Sequence, residues 1–278
     1  MKTLFDKISV RSSKIVTRAY STSFSFGIYF LNKKFHSPIY SIYGFVRLAD
    51  EIVDSFHDFN KVELLKRFRA DTTLAIKERI SLNPILNSFQ KCVHQYNIEQ
   101  VLIDTFLDSM EIDLSHSQHN KKSFDNYILG SAEVVGLMCL RVFTEGNNSN
   151  YENLKPAAMY LGSAFQKVNF LRDLKQDYNQ LGRAYFPEAN LESFDYTQKI
   201  KIESDIELDF ILALNGIKKL PRSARLGVYV AFVYYKALFK KIKSVPAEKV
   251  MMERIRVTNK HKVGLLINSV IRHQFNTL

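Results

Sequence analysis

Two acidic clusters, Asp50-Glu51-Ile52-Val53-Asp54 and Asn169-Phe170-Leu171-Arg172-Asp173-Leu174-Lys175-Gln176-Asp177, each fall inside a stretch that is apolar nearly all round. Ile39, Tyr40, Ile42, Tyr43, Phe45, Val46 and Leu48 precede the first; Leu161, Phe165, Val168, Phe170, Leu171 and Leu174 surround the second. A helix that is apolar on every side belongs in the centre of a fold. Residues four apart share a helix face, so Asp50 and Asp54 project together, as do Asn169, Asp173 and Asp177. Like charges at that spacing repel, and burying them uncompensated is costly. The pair of clusters therefore calls for a cavity, a cation or both.

Elsewhere apolar residues recur at three and four, strict alternation never persists, and no Asn-Gly or Asp-Gly hairpin signal appears. The expected fold class is all-α. Helices are expected over 4–19, 21–31, 38–56, 61–79, 84–96, 99–116, 123–145, 152–178, 197–219, 222–243 and 260–275, with breaks at Ser37-Pro38, Asn83-Pro84, Gly146 to Asn150, Phe186-Pro187 and Leu220-Pro221. With 278 residues, ten Gly, six Pro and no low-complexity stretch, one domain over 1–278 is expected. Small residues at Gly130-Ser131-Ala132, Gly136 and Gly162-Ser163-Ala164 allow either close helix packing or room for a ligand.

The net charge of +11 points to an anionic partner. Lys and Arg read as scattered, and no nucleic-acid-binding motif is present, which favours a small anionic ligand or a membrane surface over nucleic acid. Cys92 and Cys139 show no metal-binding spacing and read as free thiols. The amino terminus lacks a signal-peptide h-region, and the longest apolar run, Leu226 to Tyr235, is about half of a roughly 20-residue span. A cytoplasmic protein that touches the inner membrane surface without crossing it is expected, with no obligate protein partner.

Magnesium takes near-octahedral oxygen ligands, usually one or two carboxylates with the rest from water and phosphate. Two facing helices with carboxylates four apart suit it, and Asn169 adds an oxygen without charge. Such ions neutralise a diphosphate and draw it off as a leaving group. Di-iron bundles want Glu-x-x-His on facing helices, a spacing this chain lacks. Among 21 Phe and 14 Tyr, Tyr43 and Tyr127 are the candidates for a cavity wall, where ring faces can stabilise a cation.

In these motifs the chain resembles the squalene/phytoene synthase family, most of all its bacterial phytoene synthases. The resemblance is carried by Tyr20-Ser21-Thr22-Ser23-Phe24, by Ile42-Tyr43-Gly44-Phe45-Val46-Arg47 leading to Asp50 and Asp54, and by Tyr127 with Ala132 to Met138. It continues through Ala164-Phe165-Gln166-Lys167-Val168-Asn169 to Asp177 and Gly182-Arg183-Ala184-Tyr185-Phe186-Pro187. It implies an isoprenoid-synthase fold, helices around a central cavity, in which Asp50, Asp54, Asn169, Asp173 and Asp177 hold magnesium, with manganese as a substitute. Asp50, Asp54, Asp173, Asp177, Tyr43 and Arg47 would be catalytic. Ser21, Ser23, Arg47, Tyr127, Gln166, Arg172, Arg183 and Arg254 would contact substrate.

The reaction so implied joins two geranylgeranyl diphosphates head to head. One ionises and is attacked by the double bond of the other, giving a cyclopropylcarbinyl diphosphate, which ionises, rearranges and loses a proton to give phytoene without NADPH. Two twenty-carbon chains call for a cavity near or beyond the upper end of roughly 300–1,000 Å³. The alternatives are a dehydrosqualene or squalene synthase acting on farnesyl diphosphate and, outside enzymes, a scaffold protein of the same fold. Thr22 stands where many relatives have Lys, with Arg18 as a substitute cation. Glu133 stands where Gly is common, placing a charge beside the cavity.

Overall fold

The computed structural model describes residues 1–115, 119–181, 183–187, 189 and 193–275; the side chains of 22, 23, 115, 178–181 and 259–261 lie outside that description. Thirteen α-helices and one π-helical segment are present among the described residues: α1 (Lys2–Tyr20), α2 (Thr22–Tyr29), α3 (Lys33–Asp54), α4 (Lys61–Glu78), α5 (Pro84–Tyr96), α6 (Gln100–Ser115), α7 (Lys121–Ile128), the π-helical Leu129–Glu133, α8 (Val134–Phe143), α9 (Asn148–Leu181), α10 (Tyr196–Lys219), α11 (Arg222–Lys243), α12 (Ala247–Met252) and α13 (Asn259–Gln274).

Helix starts follow from capping. Asn60 accepts from the Glu63 amide, Asn120 from Ser123 and Asp195 from Gln198, while Asn83 caps α5 with Pro84 in its first turn. Two expected boundaries move. Helix α3 begins at Lys33 rather than after the expected break at Pro38, because Asn32 caps it by accepting from the Lys34 amide. Pro38 forfeits one helical hydrogen bond, and burial of Phe35 and Ile39 on either side outweighs that loss. Helix α9 starts at Asn148, not 152, because Asn147 accepts from the Asn150 amide. The short α12, opened by Pro246, was not anticipated.

Two apolar clusters flank the centre. One packs Phe45 against Phe89 (ring centroids 3.9 Å apart), Phe68 and Phe106, joining α3 to α4, α5 and α6. The other gathers Phe170, Tyr185, Phe210 and Phe239 between α9, α10, α11 and the segment after α9. The glycines serve both expected roles: a Cβ on Gly162 would lie 2.7 Å from the Ala132 carbonyl and one on Gly136 would lie 2.9 Å from that of Ala158, while Gly136 and Gly162 also line the central cavity. Backbone contact at that range locks α9 against the π-helical segment and α8.

Residues Lys121–Phe143 are long and apolar enough to span a bilayer, a longer such stretch than Leu226 to Tyr235; 61% of the window is buried in the protein, as in a core helix.

Candidate active site

Helix α3 places Tyr43, Arg47, Asp50 and Asp54 on one wall of a cavity of about 420 Å³. Helix α9 places Gln166, Asn169, Arg172, Asp173 and Asp177 on the same cavity, and Arg183 returns to it from just beyond α9. Ser21 and Tyr127 complete the expected lining. The two acidic clusters, more than a hundred residues apart in sequence, thus share one chamber. The volume is in the lower half of the usual range, smaller than two twenty-carbon chains called for.

Two expected contacts stand differently. Arg254 reaches the site from outside the lining, its Nε 2.8 Å from Asp173 Oδ1. The side chain of Ser23 lies outside the described residues. Ser21 also caps α2, accepting from the Phe24 amide at 3.2 Å.

Asp50, Asp54 and Asp173 each have an arginine neighbour. Arg47 Nη1 lies 3.9 Å from Asp50 Oδ2, while its Nη2 donates to Glu51. Arg183 donates to Asp54 Oδ1 at 2.8 Å. Arg172 forks onto both oxygens of Asp173, at 3.0 Å from Nε and 2.5 Å from Nη2. Tyr235 donates to the Asn169 amide oxygen at 3.3 Å and stacks on Phe165. Arg47 itself lies over the ring of Tyr20, 4.2 Å from its centroid.

Sequence reading missed Asp113. Its carboxylate accepts from Tyr127 at 2.6 Å and from Tyr185 at 3.3 Å, and Arg183 lies 3.8 Å away. Phe170 stacks on Tyr185 at 3.9 Å, closing this polar pocket with an aromatic wall. A signal existed: Ile103, Phe106 and Met110 form the buried stripe of α6, and Asp113 continues it at helical spacing.

The chamber holds more negative than positive groups, with five aspartates and three arginines in its lining. Burial is the main influence on Asp50, whose carboxyl is pushed up to about 7, with Asp54 adding repulsion. Burial and Asp173 together push Asp177 up to about 7. Asp113 rises to about 6 through burial, against the pull of Arg183. Burial lifts the Tyr43 hydroxyl to about 12, so it stays protonated and able to donate at neutral pH. Among the described residues no three His, Cys, Asp or Glu side chains converge to hold an ion unaided. An all-oxygen donor set split between two walls, with carboxyls raised by burial and by mutual repulsion, fits divalent ions that take their remaining ligands from a diphosphate.

Glu133 ends the π-helical segment without joining the lining; burial and Asp209 push its carboxyl up to about 7 against the pull of Lys167. Lys167 itself contacts Asp205 and Asp209 on α10.

Comparison with known proteins shows the family and the fold. Residues 17–207 match the family described as Squalene/phytoene synthase. The chain is 23% identical to the 4,4'-diapophytoene synthase of Staphylococcus haemolyticus, over 89% of this chain and 92% of that protein. It is 26% identical to the 15-cis-phytoene synthase of Synechocystis, over 80% of this chain and 73% of that one. The crystal structure of a dehydrosqualene synthase superposes with a TM-score of 0.82 at 18% identity, covering 97% of this chain and 98% of its own.

Proposed function

The chain belongs to the squalene/phytoene synthase family, whose members condense prenyl diphosphates head to head, and we propose that it makes phytoene from two geranylgeranyl diphosphates. The observation that carries the catalytic reading is the meeting of Asp50 and Asp54 with Asn169, Asp173 and Asp177 across one chamber whose far walls are apolar. Asp50, Asp54, Asn169, Asp173 and Asp177 would hold magnesium, with manganese as a substitute. Bound there with substrate, the metal would neutralise the diphosphate as it leaves.

The chain's own groups supply the rest. Arg47, Arg172 and Arg183 already hold carboxylates and would turn to diphosphate oxygens, with Arg254 reaching in beside Asp173. Tyr43 Oη, protonated at neutral pH, would donate a hydrogen bond to the diphosphate. Phe24, stacked on Tyr43 at 4.7 Å, and Phe165 line the cavity, where an allylic cation held over a ring face would gain roughly 0.5–2 kcal/mol per ring. Ile28, Leu31, Ile39, Phe143 and Leu220 continue the lining as an apolar wall that excludes water, which would otherwise capture the cation as an alcohol. With the cation quenched by proton loss, the reaction consumes no NADPH.

The wording of the two aspartate motifs and the likeness to a phytoene synthase support twenty-carbon substrates. The cavity volume of about 420 Å³ favours a second reading, two farnesyl diphosphates giving a thirty-carbon hydrocarbon. Incubation with each diphosphate in turn, with magnesium and without NADPH, followed by chromatography of the hexane extract, separates the two. A forty-carbon product from geranylgeranyl diphosphate supports the first reading, and a thirty-carbon product from farnesyl diphosphate alone replaces it with the second.

A further inference from the structure

Helix α13 packs on α11, with Leu265 and Leu266 half-buried and Ser269 buried, yet its solvent side is also apolar. Val263, Ile267, Ile271 and Phe275, each four residues on from the last, stand 54%, 56%, 49% and 72% exposed. Successive residues at this spacing drift by about 40° around a helix, so Val263, Ile267 and Ile271 form a slowly turning stripe that Phe275 extends just past the end of α13. A helix apolar on both faces is normally covered on both.

The charge of the chain identifies what covers it. Residues 222–278 carry twelve Lys and Arg against two Glu, a net of +10 out of the +11 of the whole protein. Lys and Arg occur along the whole chain, but acidic residues are nearly absent from α11, α12, α13 and their connections, so the net positive charge is concentrated there. Between α10, α11 and α13 runs a groove of about 610 Å³, with Leu214, Phe232, Val233 and Leu265 inside it and Lys236, Lys240, Lys241 and Arg272 along it. Glu207 answers Lys236 and Lys243 at 3.5 and 3.4 Å, leaving the region strongly positive.

We propose that the outward face of α13, with the basic groove beside it, docks the protein onto an anionic lipid bilayer. An apolar stripe flanked by Lys and Arg is the pattern that seats a helix in the headgroup region of acidic lipids. A second copy meeting the same face would bring two sets of cations together, which charge repulsion opposes. Nucleic acid would engage the lysines and leave four exposed apolar side chains without a role. Docking here also places lipid one helix away from the cavity: α11 turns Phe232 and Val233 to the groove, and Gly227, Val228, Ala231 and Tyr235 to the chamber.

The test is co-sedimentation of the full chain, at physiological salt, with phosphatidylcholine vesicles containing or lacking phosphatidylglycerol. The parent is expected to sediment with the anionic vesicles and largely stay in solution with the neutral ones. An Ile267→Asp/Ile271→Asp variant should lose about tenfold or more in partitioning, and a Lys240→Glu/Arg272→Glu variant should lose the preference for anionic lipid. Circular dichroism confirms that each variant is folded. Hydrocarbon formation from detergent-dispersed substrate should be unchanged in the Ile267→Asp/Ile271→Asp variant, which keeps failure of docking distinct from failure of the catalytic reading. The proposal is overturned if the parent ignores anionic vesicles, if both variants bind as the parent does, if the stripe variant instead abolishes a concentration-dependent dimer, or if the parent binds RNA while leaving vesicles alone.

Discussion

Replacing Arg183 with Met is expected to destabilise the protein by about 3 kcal/mol at pH 7 and about 2 kcal/mol at pH 5. The guanidinium is 7% exposed and donates to Asp54 Oδ1 at 2.8 Å, the Asp113 main-chain carbonyl at 3.1 Å and the Tyr185 hydroxyl at 3.2 Å. Losing these bonds, one of them to a carboxylate that is 37% exposed, accounts for about 2 kcal/mol at either pH. The pH-dependent part runs through Asp113, whose side chain is 4% exposed and whose carboxyl is raised from 3.8 to about 6. Holding it ionised at that value already costs about 3 kcal/mol, and holding it neutral at pH 7 costs about 4. Without Arg183 the carboxyl rises further, but protonation limits the added cost to about 1 kcal/mol at pH 7.

The sign follows from proton binding. A carboxyl raised in the folded state binds more protons than in the unfolded chain between about pH 4 and 6, so its contribution to stability falls as pH rises through that window. In the variant the window extends past 7. At pH 5 Asp113 is protonated with or without Arg183, and its share of the difference vanishes. Urea unfolding followed by circular dichroism at the two pH values measures both numbers. A loss below about 1 kcal/mol at pH 7, or a loss as large at pH 5 as at pH 7, refutes the reasoning.

Gly162→Ala should destabilise by about 1–3 kcal/mol in thermal or urea unfolding, despite the better helix propensity of Ala, because its Cβ would stand 2.7 Å from the Ala132 carbonyl. The raised carboxyls of Asp50 and Asp177, both about 7, make the metal-free chain lose stability as pH rises from about 4 to about 7. Magnesium with inorganic diphosphate should therefore raise the Tm more at pH 8 than at pH 6, and more than magnesium alone; equal shifts would contradict this. Asp54→Asn and Asp173→Asn should each lower hydrocarbon formation by about a hundredfold or more while leaving the circular dichroism spectrum intact.

What the sequence discloses is local. Asp50 and Asp54, or Asn169, Asp173 and Asp177, reveal their shared face through helical spacing within a few residues, and the apolar flanks reveal that the faces turn inward. Asp113 is harder, because its partners come from two other segments, Tyr127 from α7 and Arg183 and Tyr185 from the stretch after α9, and meet it only after folding. Pro38 misleads because local rules weigh its missing amide but not the burial of Phe35 and Ile39 around it. The π-helical turn at Leu129–Glu133 packs its Ala132 against Gly162 of α9, a tertiary contact that intrinsic propensity does not encode.

The central claim is that the two aspartate walls join prenyl chains rather than merely hydrolyse them. The most direct measurement follows diphosphate release and hexane-extractable product together, from geranylgeranyl diphosphate with magnesium and no NADPH. Two diphosphates released for each forty-carbon hydrocarbon formed is the predicted result. Diphosphate release accompanied only by prenyl alcohol, with no head-to-head hydrocarbon from geranylgeranyl or farnesyl diphosphate even when NADPH is added, would contradict it.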